Sequence, residues 1–444
     1  MIPGARGTKV ETTFNSEAGG PGNDQPTAVA TFPDGSAVIA GFFEQTATFG
    51  NFVLTARGER DAFIARIDRG GAFTFAHQIG GRGDDVAFGV AALADGSAAV
   101  TGRFRGEAQA SGTTTDLTLA AAGGEADDDV FVIRYGSRGE ITSGARAGGP
   151  APDGGLGVAA LGDGSIAVTG FFAGTARFGA GPEAVELVSA GGTDVFLARY
   201  NRRIALEQAV ATGGAGDDEG TATSALADGT MLVAGRFAET ATFGAGEAGE
   251  TAVTAQGLQD GFIARHDPVN FRLVEVRPEG LSFVRVPGTG QNPNHVGSSI
   301  AASNDGSSWV AGSFQGELLL QDDPRDPARR VALTASGNQD AYLAHVLPDG
   351  TVDRARQIGD QVGAATGQGV AALPDGGAVV TGTFKGAATF AAGVTLTASG
   401  GSDMFLARYR PTARWSLPCG VAARAWARTA ARAWPSCRMT RRSW

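Results

Sequence analysis

Hydrophobic positions in this chain fall in short runs that glycine or an Asp-Gly pair interrupts before a helical face can build up. Runs such as "DAFIARI" at 61–67 and "DVFLARY" at 194–200 place apolar residues two apart, the period of a half-buried strand. Polar stretches between them are rich in Gly, Asp and Ser, the residues that turn a chain sharply between strands. The pattern predicts an all-β protein.

One pattern recurs six times. Asp-Gly at Asp34, Asp95, Asp163, Asp228, Asp305 and Asp375 is followed by a small residue, an apolar run and Gly-x-Phe, as in "PDGSAVIAGFF" and "GDGSIAVTGFF". A second anchor of the type Asp-x-Phe-apolar-Ala-Arg starts at Asp61, Asp129, Asp194, Asp260, Asp340 and Asp403. Each copy divides into a small-residue segment, a segment ending in Gly-x-Phe, the Asp-x-Phe segment and a polar-alternating segment such as "LEQAVATGG". Four antiparallel strands per repeat predict the blade of a β-propeller. Small residues suit the crowded axis and polar ones the rim. Asp-Gly is expected to form a two-residue hairpin turn with positive φ at both central positions. "KVETTFNSEAGG" matches a rim strand and precedes the first full blade, so it is expected to close the sixth. The boundaries read as an extension at 1–8, a six-repeat propeller at 9–410 and a separate tail at 411–444.

In these two anchors the sequence resembles the bacterial SBBP-type β-propeller repeats, over roughly residues 9–410. The resemblance implies a seven-bladed parent fold and a place outside the cell or on its surface. It brings no catalytic residues.

The interval from the third-strand Asp to the next Asp-Gly is 34 or 35 residues except for one of 45, whereas the interval after Asp-Gly varies from 27 to 35. The variable part, typified by "GTARFGAGPEAVELVSAGG", predicts protruding loops or small hairpins, where binding commonly resides. The long interval holds "FRLVEVRPEGLSFVRVPGTGQNPNHVG", which makes Arg277, Asn292, Asn294 and His295 the candidate binding residues.

Charge narrows the partners. The first 410 residues hold 29 basic and 46 acidic residues, a balance of −17, which repels phosphate backbones and argues against nucleic acid. No apolar run is long enough for a membrane span. The start "MIPGARGTKVETTF" lacks the features of a signal peptide.

Candidate chemistry is sparse. Arg82-Gly83-Asp84 is an adhesive-looking tripeptide, but a sister copy reads "GGAGDD", which makes the arginine incidental. Asp84, Asp85, Asp217 and Asp218 are candidate calcium ligands, set against the simpler reading as turn aspartates that accept backbone N–H groups. His77, His266, His295 and His345 form no metal spacing. The expectation is a non-catalytic, secreted or cell-surface monomer with no cofactor, binding a protein or glycan through its variable loops. The alternative is a propeller hydrolase or lyase with its site at the channel mouth.

The tail "RWSLPCGVAARAWARTAARAWPSCRMTRRSW" has a different composition, with Cys419, Cys437, four tryptophans and no acids. Back-translated with G or C in third codon positions and shifted by one frame, it can read "GTGVAVLPDDAS", close to "GQGVAALPDGGA" at 367–378. It is therefore expected to be disordered, an out-of-frame remnant of a seventh blade.

Overall fold

The structure, a computed structural model, describes residues 12–225, 230–255, 260–267, 269–278, 296–303, 307–321, 331–347, 352–359, 363–391, 394–398 and 402–410. They form six four-stranded antiparallel blades arranged as a six-bladed β-propeller. Blade 1 comprises Gln25–Thr31, Ala37–Phe43, Asp61–Ile67 and Phe73–Gly81, from the axis outward. Blades 2 to 5 repeat this order, beginning at Val86, Gly154, Glu219 and Val296. Blade 6 uses Ala364–Ala372, Ala378–Lys385 and Asp403–Tyr409, and its outer strand is Thr12–Gly19 from the other end of the chain. The tail and the extension at 1–8 lie outside the described residues.

The core lies between blades. Ala40, Ile64 and Ile79 of blade 1 pack against Val100, Phe104, Phe131 and Ile133 of blade 2, all buried. The Gly-x-Phe phenylalanines Phe43, Phe104, Phe172, Phe237, Phe314 and Phe384 are all at most 1% exposed. Burying each such ring stabilises the fold by about 1.5–3 kcal/mol. The glycine two residues earlier is needed because the third-strand aromatic lies over it: a Cβ on Gly102 would stand 2.7 Å from the Phe131 ring. At the axis, Thr27 and Thr31 donate their hydroxyls to Ala87 O and Ala372 O of the neighbouring inner strands, at 2.6 and 2.7 Å. The small-residue expectation for these strands matches this close approach.

The Asp-Gly turns differ from expectation. Only the glycine takes positive φ, +82° at Gly35 and +83° at Gly96. Phe32 O accepts the Gly35 N–H at 2.9 Å, and the Asp34 carboxylate accepts the Ser36 N–H at 2.8 Å. Asp34 keeps ordinary φ because the loop is a three-residue turn that ends in a left-handed glycine. The third-strand arginine locks it. Arg134 pairs with Asp95 at 2.6 Å, and Arg199 with Asp163 and Arg408 with Asp375 do the same at 2.5 and 2.9 Å. Arg66 also reaches the next blade, donating to Gly96 O at 2.7 Å.

The variable segments do form hairpins, but these do not simply protrude. At five of the six junctions the hairpin folds back onto the outer strand of the preceding blade. Thr46–Phe49 pairs with Thr12–Gly19, Glu107–Ala110 with Phe73–Gly81, and Thr240–Phe243 with Leu206–Gly214. Isolated bridges Gly148–Arg177 and Gly359–Thr389 repeat the contact at two more junctions. This explains the second glycine of the Gly-Gly pairs. A Cβ on Gly20, Gly81, Gly149 or Gly214 would collide with the carbonyl of Thr46, Glu107, Thr175 or Thr240 in the crossing hairpin.

Candidate functional site

A polar cleft of about 770 Å³ opens between blades 1 and 2, on the face that carries the Gly-Gly pairs. Its floor is the link Gly80 to Asp84, where the outer strand of blade 1 passes into blade 2. Its walls come from Arg57 and Glu59 of blade 1 and from Arg105, Glu107, Gln109 and Glu125 of blade 2. The crossing hairpin sets the width, because Arg57 Nη1 donates to Gly80 O at 3.1 Å and to Gln109 O at 2.7 Å.

Beneath the cleft runs a ladder of ion pairs. Arg60 holds Asp84 through two bonds of 2.5 Å, and Arg103 joins Asp84 to Asp128, at 3.1 Å from each. Arg105 closes the ladder on Asp128 at 2.8 Å. Arg60 also stacks 4.8 Å above the Phe42 ring. Asp84 and Asp128 are largely buried, so these pairs hold their geometry better than surface pairs do.

Arg82 stands apart from the ladder. It is exposed, lines the cleft and has no ion-pair partner among the described residues. Glu59, Glu107 and Glu125 are exposed carboxylates on the surrounding walls. The cleft thus offers one uncommitted guanidinium and three carboxylates, a set able to hold an anionic group and to exchange protons beside it.

The sequence candidates fall elsewhere. Arg277 lies on the outer strand of blade 4, with its backbone opposite Ile263, and its side chain is outside the described residues, as are Asn292, Asn294 and His295. Asp84 is consumed by Arg60 and Arg103, which leaves no free Arg82-Gly83-Asp84 motif. Asp85 accepts the Gly81 and Arg105 N–H groups, Asp218 those of Gly214 and Ala238, and Asp217 that of Thr193. Among the described residues no three His, Cys, Asp or Glu stand together as a metal would require. His77 stacks between Phe75 and Tyr135, His266 bonds to Phe271 O, and His345 bonds to Ser307 and Asp353. The sequence does not reveal the cleft, because comparison of the repeats makes Arg82, which one copy alone carries, look incidental. In a repeat, what all copies share is scaffold, and what one copy alone carries is the better clue to function.

No family model matches the chain, so the SBBP resemblance stays a likeness of motifs, and no curated protein matches it. Solved structures similar to it include two quinohemoprotein alcohol dehydrogenases. One is the quinohemoprotein alcohol dehydrogenase ADHIIG from Pseudomonas putida HK5, at 7% identity and TM-score 0.31, covering 81% of this chain and 74% of that one. The other is quinohemoprotein alcohol dehydrogenase from Comamonas testosteroni, at 8% identity and TM-score 0.36, covering 90% and 76%. Likeness at this level transfers neither an activity nor a cofactor. Both neighbours are nonetheless enzymes named for their cofactors, and the expectation of a non-catalytic scaffold without a cofactor is withdrawn. Among the described residues no helix is long and apolar enough to cross a membrane.

Proposed function

We propose that this propeller is an enzyme of the hydrolase or lyase type, acting by acid–base chemistry on a polar substrate that carries a carboxylate, in the cleft between blades 1 and 2. The observation that carries the reading is Arg82, an uncommitted cation in a cleft whose remaining walls hold Glu59, Glu107 and Glu125. Arg82 would neutralise the substrate carboxylate, and the glutamates supply the base and the acid on either side of the scissile bond. Among the described inner strands the one carboxylate is Glu219, which Arg236 holds at 2.7 Å, so the axis offers no uncommitted acid or base. The site therefore sits between blades and not at the channel mouth. A uronate-bearing glycan fits this chemistry.

The test is turnover on a panel of uronate-containing polysaccharides, with unsaturated products marking a lyase and new reducing ends alone marking a hydrolase. Losing a charge-assisted contact, Arg82→Ala is expected to lower kcat/KM roughly ten- to a hundredfold. Absence of turnover across the panel, or turnover that Arg82→Ala leaves intact, would defeat the proposal.

A further inference from the structure

The first glycine of each Gly-Gly pair packs on carboxylates, and in three copies on two at once. A Cβ on Gly148 would stand 2.6 Å from Asp129 Oδ1 and 2.8 Å from Asp153 Oδ2. On Gly213 it would stand 2.5 Å from Asp194 Oδ1 and 2.7 Å from Asp218 Oδ2, and on Gly19 3.0 Å from Asp24 Oδ2 and 3.3 Å from Asp403 Oδ1. One member of each pair lies in the third strand of a blade, and the other directly precedes the inner strand of the next. Each pair therefore straddles a blade junction. Gly80 packs on Asp61 in the same way, with Asp85 as the second carboxyl.

The Asp129/Asp153 pair is the clearest. Both residues are fully buried. Asp153 accepts the Gly149 N–H on Oδ2 at 2.7 Å and the Ala173 N–H on Oδ1 at 3.1 Å. Asp129 Oδ2 accepts the Ala122 N–H at 2.9 Å and Arg146 Nη1 at 3.0 Å, while Asp129 Oδ1, on the side of Asp153, has no donor. Two buried carboxylates so close repel each other, and a single proton between them turns that repulsion into a hydrogen bond.

We infer that the blade junctions are closed by carboxylic acid–carboxylate pairs, each holding one shared proton in the folded protein. In the Asp129/Asp153 pair the proton sits on the donor-less Oδ1 of Asp129 and is donated to Asp153 Oδ2. The charged groups facing this pair are Arg146, whose single cation offsets one of the two carboxylates, and Asp127, which adds repulsion. Burial and the neighbouring carboxylate push Asp153 up to about 7, and burial pushes Asp129 up to about 6. Asp85, chiefly by burial, also stands at about 7, with Asp61 and Asp84 as its acidic neighbours. Asp24, mainly by burial and facing Asp403 and Glu44, stands at about 6, and so does Asp194, facing Asp218. The junction between blades 5 and 6 supplies a natural contrast. Ala365 donates its N–H to Gln339 O as Asp153 does to Asp128 O, so a methyl group stands at the position that the sister junctions fill with an acid.

These groups titrate well above an ordinary Asp at 3.8, so between about pH 4 and 7 the folded state binds more protons than the unfolded one. Their contribution is fully present at the acid end of that window and is lost as pH rises through 6 to 7. The urea midpoint of the full chain is expected to fall between about pH 5 and 8, with uptake of protons on folding near pH 6.5. Asp153→Asn, which replaces the shared proton by an amide hydrogen, should flatten the pH dependence. Ala365→Asp, which builds a fifth pair against Asp340, should steepen it. Proton uptake is read on the unmodified protein by calorimetry in buffers of different ionisation heat, so a variant that fails to fold does not stop the test. A folding reaction that takes up no protons near neutrality overturns the inference. So does a pH 8 midpoint that calcium raises in the parent but not in Asp153→Asn, which would assign the pair to a cation.

Discussion

Arg408 has a donor to spare. Its Nε is buried without an acceptor, whereas Arg134, Arg199 and Arg265 give theirs to Ser97, Ser165 and Thr230. The cause is one residue of the Asp-Gly-Ser anchor, replaced in blade 6 by Gly377. Gly377→Ser is expected to restore the bond and raise stability by about 1 kcal/mol, with a smaller gain from the stiffer unfolded chain. Gly377→Ala separates the two effects. A urea midpoint that the serine raises no further than the alanine would show that the hydroxyl is not used. At this scale the sequence displayed the recurring residues plainly, but not which of them touch. Asp and Arg stand 39, 36 and 33 residues apart in the pairs Asp95–Arg134, Asp163–Arg199 and Asp375–Arg408, and their pairing at the turn follows only from the antiparallel return of the third strand. His345 shows the same logic by substitution, since it reaches Ser307 through Nε2 where other copies use arginine.

The blade hairpins are stitches. The variable intervals predict protruding loops or small hairpins, because repeats of unequal length ordinarily signal solvent exposure. Their tips do vary, as "GAGPEAVEL" in blade 3 shows, but their bases are fixed by backbone bonds to the previous blade. Gly148 and Arg177 exchange two such bonds, of 3.1 and 3.0 Å. The glycines that permit the crossing were visible as Gly-Gly pairs, yet the need for two could not be deduced until both the carboxylate and the hairpin carbonyl were in place. Gly149→Ala is expected to cost about 1–3 kcal/mol by forcing the hairpin away from the rim. Amide exchange at Arg177 should accelerate with it. Unchanged exchange there would mean that the hairpin gains nothing from the contact. The strands themselves, and their order from axis to rim, were legible because size and polarity sort them. The turn type was not, because the carboxylate of Asp34 replaces a backbone constraint that Asp-Gly alone does not reveal.

For the whole molecule, the closing strand decides whether there is a ring. Ala18 pairs with Met404 and Ser16 with Leu406, so blade 6 is completed from the opposite end of the chain. The match of "KVETTFNSEAGG" to the rim strands predicts this closure from sequence alone. Removing residues 1–19 is expected to leave Asp403–Tyr409 as an open edge, seen as self-association in size-exclusion chromatography and as early protease cleavage in blade 6. A monomeric, protease-resistant product would show that the ring closes without it. Substrate chemistry, by contrast, was not legible at this scale, because the cleft gathers side chains from two blades that the linear order keeps apart.

The same pairing sets a clock. Thr12 and Tyr409 are partners across almost the whole described chain, so the contact is among the most distant that the polypeptide makes. Loop-closure entropy weighs against contacts of that span until most other structure is in place, and topologies rich in them fold slowly. During synthesis the first strand can meet Thr46–Phe49 early, through Ala18 and Gly19, but its pairing with Asp403–Tyr409 must wait until that strand emerges. Ring closure is therefore the final act of folding, and until then the nascent propeller carries two open edges that invite the wrong partner.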